Sequence, residues 1–153
     1  MYLKLPYFKQ INGYACGPAV LQMLLRHYGI AKSQKTLFRQ AKTNSKVGTS
    51  TTNMVKVLKA YGLKTREFNS ANFDILTREI KKSQPILVKY LEPGENEVHY
   101  AIVLGLKREN LILNDPWHGR AYAFPKKAFR LRWRNLKHPK RLSGWFLTVL
   151  AKK

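Results

Sequence analysis

The sequence predicts an α+β domain, with N-terminal helices packed on an antiparallel sheet, and two observations carry that prediction. Through the first half of the chain, apolar residues recur at one-, three- and four-residue steps: Val20/Leu21/Leu24/Leu25/Tyr28, Met54/Val55/Leu58/Tyr61 and Phe73/Leu76/Ile80. From Pro85 onward that spacing gives way to short apolar runs between turn residues, among them PILVKYL, VHYAIVLGL and GWFLTVL. Helices followed by strands along the chain are the pattern of a helical layer on a sheet. The 153 residues are read as one domain over 1–153, large enough to bury a core without disulfide or metal staples.

Taken in order, residues 2–8 read as an extended entry segment with Pro6 at an edge or bend. The first helix starts at Cys16 and runs to about His27 or Tyr28, with Gly29 as its stop. Gly17-Pro18 suits its first turn, where the N–H that proline lacks would have no helical partner. Ser33 caps a second helix from Gln34 to about Ala41, with Leu37 and Phe38 facing inward. Thr43–Thr52 is a polar loop, and a third helix spans about Thr52 to Tyr61 before Gly62. Lys64–Phe68 is a short strand, and Asn72 caps a fourth helix through Lys82. Strands follow at Pro85–Leu91, Val98–Leu106, Leu111–Asn114, Arg120–Phe124 and Gly144–Leu150. Glu92–Glu97 and Arg108–Asn110 are turns, and Pro125 to about Leu131 is a helical turn.

Charge is distributed unevenly. There are 29 Lys+Arg against 8 Asp+Glu, a formal +21, yet no acidic side chain precedes Glu67 and only Glu109 and Asp115 follow residue 106. Two basic flanks therefore bracket a near-neutral centre. Such a field attracts an anionic partner (nucleic acid, a membrane surface or an acidic peptide), and it equally serves as a solubilising surface. Lys126–Arg134 interleaves cations with aromatics, as single-stranded nucleic-acid binding requires. The alternative turns Phe129, Leu131 and Trp133 inward and leaves the cations solvated. No phosphate loop and no multi-cysteine zinc pattern is present, so neither cofactor nor metal is expected. The N-terminus has no signal-peptide pattern and no apolar run approaches a transmembrane segment, so a cytoplasmic location is expected, with delivery elsewhere left open.

Cys16 is the one cysteine, which excludes an intramolecular disulfide. At a helix N-terminus, unpaired N–H groups and the dipole favour a thiolate. A lone cysteine on an apolar helix also reads as a small buried hydrophobe. Nucleophilic cysteine chemistry needs a base, a group to orient it, and donors for the oxyanion. Of four histidines, His27 lies in a last helical turn, His118 in the polar turn Trp117–Arg120, and His138 in the basic run Arg130–Arg141. His99 begins an apolar strand, where a polar ring needs partners: as a base with an acid beside it, or as a satisfied core histidine. Asp74 sits in a first helical turn. Asp115 either ends the strand that returns beside the His99 strand or is simply a turn residue before Pro116. Pairing Lys107 with Leu111 sets Val103 opposite Asp115, so twist, a bulge or a diagonal reach must close the gap to His99. Gln10 alone reads as a surface glutamine. Glu92, Glu95 and Glu97, just before His99, read as a solvated hairpin tip, or as acids that prefer a cationic peptide or raise the histidine pKa.

Four segments carry a more specific signal. They are Gln10-x5-Cys16-Gly17-Pro18-Ala19, Leu21-x-Met23-x4-Tyr28-Gly29, His99-Tyr-Ala-Ile-Val-Leu-Gly105 and Asn114-Asp115-Pro116. In this order they resemble the C39 family of bacterial cysteine peptidases, and the likeness extends from about Leu5 to about Leu150, Ser143-Gly144-Trp145 included. The resemblance implies a papain-like α+β fold and a free-standing member of a family whose best-known members trim leader peptides after Gly-Gly. It implies Cys16 as nucleophile, His99 as base, Asp115 as its orienting partner and Gln10 as oxyanion donor beside the Cys16 backbone N–H. Ala15 stands where many transporter-fused members carry Asp. The expected activity is a cysteine endopeptidase on a peptide or leader, cutting after small residues such as Gly-Gly. Alternatives are acyl transfer by the same thiolate and a basic nucleic-acid-binding protein.

Overall fold

A computed structural model describes residues 2–138 and 142–152. The helices are α1 Cys16–His27, α2 Gln34–Gln40, α3 Thr51–Ala60, α4 Phe73–Ile80 and α5 Lys126–Trp133. The strands are β1 Leu63–Phe68, β2 Ile86–Leu91, β3 Val98–Lys107, β4 Asn110–Asp115, β5 Gly119–Pro125, β6 Arg134–Asn135, β7 Leu142–Ser143 and β8 Phe146–Lys152. Six strands form one antiparallel sheet in the order β1-β8-β2-β3-β4-β5, and β6 pairs with β7 apart from it. The expected α+β class is what the structure shows.

Side chains alternate across the sheet, so each strand feeds two cores. Leu87, Tyr100, Ile102, Leu104, Ile112, Leu147 and Val149 meet α1, α2 and α3 on one face. Ile86, Val88, Tyr90, Ala101, Val103, Leu111 and Leu113 meet Leu76 of α4 and Phe129 and Trp133 of α5 on the other. The helical layer expected on one face is thus accompanied by a second layer. Each of these fully buried large apolar side chains contributes about 1.5–3 kcal/mol relative to an exposed one.

Caps set the helix starts. Ser33 Oγ accepts from Thr36 N at 3.1 Å and Asn72 Oδ1 from Ile75 N at 2.9 Å, as expected. The third helix begins one residue earlier than expected because Ser50, not a later threonine, accepts from Asn53 N at 3.1 Å. On α3, Val57 is buried and Val55 only half-buried, a small rotation of the expected face. In α5, Phe129 and Trp133 are buried and stacked 5.8 Å apart, while Leu131 is 68% exposed. The aromatics in the basic stretch are therefore core residues and are not free to stack on bases. Residues 139–141 of the run Arg130–Arg141 lie outside the described residues. Gly144, at φ +78°, passes so close to Ala71 that a Cβ there would lie 2.2 Å from its carbonyl oxygen.

The hairpin register differs from the expected one and explains the site. The turn is one residue shorter, with Lys107 opposite Asn110, Leu106 opposite Leu111 and Gly105 opposite Ile112. A bulge at Leu104 then sets Val103 opposite Leu113 and Ile102 opposite Asn114. Continued by one residue, this register brings Asp115 to Ala101, with His99 two residues away on the same face. Without the bulge, Asp115 would fall opposite Ile102 and point away from His99. The bulge therefore selects which face the carboxylate shares.

Candidate active site

Cys16, Gln10 and His99 line one cleft of 590 Å³, together with Gly13, Tyr14, Ser45–Gly48, Glu92, Glu95, Glu97, Val98 and Trp117. Cys16 comes from the start of α1 and His99 from the start of β3. The N-cap residue of α1 is Ala15, whose side chain makes no cap hydrogen bond. A helix start normally carries Ser, Thr, Asp or Asn there. Leaving the first-turn amides of Cys16 and Gly17 without a side-chain acceptor preserves an anion-favouring position. Gly17 allows α1 to press against the cleft loop, since a Cβ at residue 17 would meet Thr49 Oγ1 at 2.5 Å. Thr49 is fixed in turn by Thr43 at 2.7 Å and by the Tyr100 hydroxyl, which donates to its carbonyl at 2.8 Å.

His99 is buried and lies 2.8 Å through Nε2 from Asp115 Oδ1. Asp115 is fully buried. Its Oδ1 also accepts from the backbone N–H groups of Trp117 and His118 at 2.9 Å each, and Oδ2 accepts from the Tyr90 hydroxyl at 2.5 Å. Burial opposes ionisation of Asp115, but the bond and charge of His99 and the Tyr90 and His118 donors hold its pKa below the ordinary carboxylate value. An ionised carboxylate only accepts, so His99 Nε2 carries a proton and Nδ1 is the nitrogen left for Cys16. Burial would lower the imidazole pKa. The hydrogen bond to Asp115, then the hydrogen bond and charge of Cys16, and the charge of Asp115 overcome that and raise it to about 10.

Gln10 reaches the cleft on the extended entry segment, which is laid along the end of the sheet by Leu3 N to Leu104 O at 3.0 Å and Gln10 N to Pro116 O at 3.1 Å. Its Nε2 donates to the Asn12 carbonyl at 2.7 Å, and its Oε1 is buried without a hydrogen-bond partner among the described residues. The Asn12 oxygen can only accept, which fixes the amide orientation and leaves the second Nε2 hydrogen uncommitted. Gln34 of α2 clamps this segment, accepting from Ile11 N at 2.8 Å and donating to the Lys9 carbonyl at 3.0 Å.

The structure thus brings Cys16, His99, Asp115 and Gln10 to one place. Asp74 stays in the first turn of α4, and His27, in the last turn of α1, packs edge-on against Tyr28. Sequence reasoning missed Tyr90, whose strand position opposite His99 was legible but whose partner was not. It missed Gln34, which looks like any helix-start polar residue. It also took Glu92 as part of a solvated tip. Glu92 is instead 3% exposed, accepting from Gly94 N at 2.8 Å, from Glu95 N and from His118 Nε2 at 2.9 Å.

Comparison with known proteins decides the family. Residues 2–140 match the Peptidase_C39 like family. The chain belongs to that family. It is a cysteine peptidase of the C39 type, and a structural neighbour is the peptidase domain of Streptococcus ComA, a bifunctional ABC transporter of a quorum-sensing pathway. That domain aligns with TM-score 0.77 and 28% identity over 97% of this chain and 98% of that one. A double glycine motif protease from an AMS/PCAT transporter, in complex with its leader peptide, shares the fold, with TM-score 0.70 and 20% identity over 97% and 94% of the two chains. The Mesentericin-Y105 transport/processing ATP-binding protein MesD of Leuconostoc mesenteroides is 29% identical over 113 residues, 74% of this chain and 15% of MesD. No helix among the described residues is long and apolar enough to cross a membrane.

Proposed function

We propose that this peptidase cleaves an extended peptide or leader segment through a Cys16–His99–Asp115 triad, after small residues of the Gly-Gly kind. The observation that carries the reading is the 2.8 Å bond between His99 Nε2 and Asp115 Oδ1, which leaves Nδ1 as the nitrogen for Cys16, whose hydrogen bond and charge also help raise the imidazole pKa. With the imidazole pKa raised, Nδ1 is a competent acceptor for the Cys16 thiol proton, and that transfer leaves a nucleophilic thiolate beside an imidazolium. The Sγ attacks the scissile carbonyl carbon and the carbonyl π electrons move to oxygen. The uncommitted Nε2 hydrogen of Gln10 and the Cys16 N–H donate to that oxyanion. As the tetrahedral intermediate collapses to a thioester, the imidazolium Nδ1 proton passes to the departing amine. The neutral imidazole then removes a proton from water, the hydroxide adds to the thioester, and the thiolate leaves with the carboxylic acid formed. Asp115 holds the ring in the required tautomer and stabilises its charged form throughout.

The preference for small residues is supported by the neighbouring double glycine motif protease. The test is incubation with a synthetic peptide carrying Gly-Gly before an unrelated segment, read by mass spectrometry, for wild type and Cys16→Ala. Two fragments summing to the peptide plus one water, formed by wild type alone, support the reading. Products carrying an added amine in place of water assign acyl transfer instead, and an intact peptide with both proteins contradicts this specificity.

A further inference from the structure

Beside the His99–Asp115 pair stands a second carboxylate–imidazole pair that the mechanism above does not use. His118 Nε2 lies 2.9 Å from Glu92 Oε2, and Glu92, being acceptor-only when ionised, fixes the proton on that nitrogen. Burial alone would raise the Glu92 pKa; the Gly94 amide, the His118 hydrogen bond, the Glu95 amide and the His118 charge together hold it below the ordinary carboxylate value. An ionised, buried carboxylate with three donors is an anchor for whatever is attached to them.

What is attached is the support of the site. Glu92 directly follows β2, which carries Tyr90, and its backbone N–H closes the 92–97 turn on the Glu97 carbonyl at 3.0 Å. His118 lies in the turn after β4, and its own backbone N–H donates to Asp115 Oδ1. In the sheet β3 lies between β2 and β4. Two side-chain bridges therefore reach across the start of β3: Tyr90 to Asp115, and Glu92 to His118. His99 sits between them, with its ring centroid 5.9 Å from Tyr90 and 6.5 Å from His118, both near edge-on. The His118 ring is held in turn by stacking on Tyr122 at 4.9 Å and 16°.

We propose that the Glu92–His118 pair is a clasp that positions the triad. It pins the turn whose amides fix Asp115 and confines the imidazole of His99 from the side opposite Tyr90. These are positioning residues, acting through Asp115 and His99 and not on the substrate. The proposal rests on the reading of His99 as base, so its test includes a readout independent of that reading. A proton bonded between an imidazole and a buried carboxylate gives a resolved, far-downfield NMR signal, here the His99 Nε2 proton facing Asp115.

The experiment compares wild type, His118→Ala, His118→Gln and His99→Ala by this signal and by the rate of Cys16 alkylation with iodoacetamide at pH 6.5. A glutamine amide reaches about as far as Nε2 and keeps a donor for Glu92. The clasp predicts that His118→Ala shifts or broadens the His99 signal and slows alkylation on the order of tenfold, because small misplacements of reacting groups carry such costs. His118→Gln keeps the signal and stays within about twofold of wild type on the same ground. An unchanged signal in folded His118→Ala overturns the proposal, as does an equal loss in His118→Gln, which would assign the effect to ring stacking alone. Should His118→Ala fail to fold, Glu92→Gln takes its place, since one amide oxygen cannot serve three donors. A moved His99 signal there upholds the clasp and a wild-type signal overturns it. If His99→Ala leaves alkylation unchanged, the base assignment fails, while the His99 signal in the His118 variants still decides the clasp.

Discussion

Tyr90→Phe removes one oxygen from a site where every donor to Asp115 can be named. The hydroxyl lies 2.5 Å from Asp115 Oδ2, both residues are fully buried, and no other hydrogen bond to Oδ2 is seen among the described residues. A hydrogen bond to a charged group is worth about 1.5–3 kcal/mol, and loss of a donor to a buried acceptor carries the desolvation cost of that acceptor. Oδ1 keeps its bonds from His99, Trp117 and His118, which keeps the carboxylate ionised. The expected loss is therefore about 2 kcal/mol, or about 4–8 °C in Tm for a domain of this size. The Asp115 pKa is lowered in the folded state, so its ionised form contributes stability that is present above about pH 4 and lost as pH falls through the folded value. Tyr90→Phe diminishes that contribution, so its deficit is larger at pH 7 than at pH 3. Urea unfolding at both pH values reads this directly. A deficit under about 0.5 kcal/mol at pH 7, or one that grows on acidification, refutes the reasoning.

Further outcomes follow from the same geometry. Gln10→Ala lowers kcat by about 10²–10³ yet leaves Tm unchanged or slightly raised, because the residue carries a buried oxygen without a partner. Gly17→Ala forces a methyl toward Thr49 and destabilises by about 1–3 kcal/mol, read by urea midpoint. The His99 pKa is raised, so the stability its protonated form contributes is fully present below about pH 6.5 and lost as pH rises through about 10. The pH dependence of unfolding should flatten over that interval in His99→Ala. Trp133→Ala, which empties a fully buried position of the second core, destabilises by about 3–5 kcal/mol, read by urea midpoint.

Legibility in the sequence followed the range of the interactions. Helix starts were readable where a single serine or asparagine stood before the apolar stripe, as at Ser33 and Asn72, and slipped by one where Thr49-Ser50-Thr51-Thr52 offered several caps. Strands were readable from their apolar runs, and a bulge was one of three ways to close the gap to His99, but its place at Leu104 was not readable, since Gly105 beside it suits a bulge without fixing one. Cys16, His99, Asp115 and Gln10 were singled out through spacing and family likeness together. Tyr90, Gln34, Glu92 and His118 were not, because each depends on a partner 12 or more residues away in the chain. Glu92 shows the reason most plainly: a glutamate in a Pro-Gly turn reads as solvated until the histidine that buries it is placed beside it.

The central claim is that His99, held by Asp115, activates Cys16. The rate of iodoacetamide alkylation across pH 5–9, read by intact mass, tests it with one cysteine and no substrate. The account predicts rapid alkylation of wild type at pH 6, where an unassisted thiol of pKa about 8.5 is almost wholly protonated. It predicts that His99→Ala slows this rate by at least about tenfold at pH 6 and much less at pH 9. Equal rates for the two proteins at pH 6, or labelling of wild type that waits on unfolding, would contradict it.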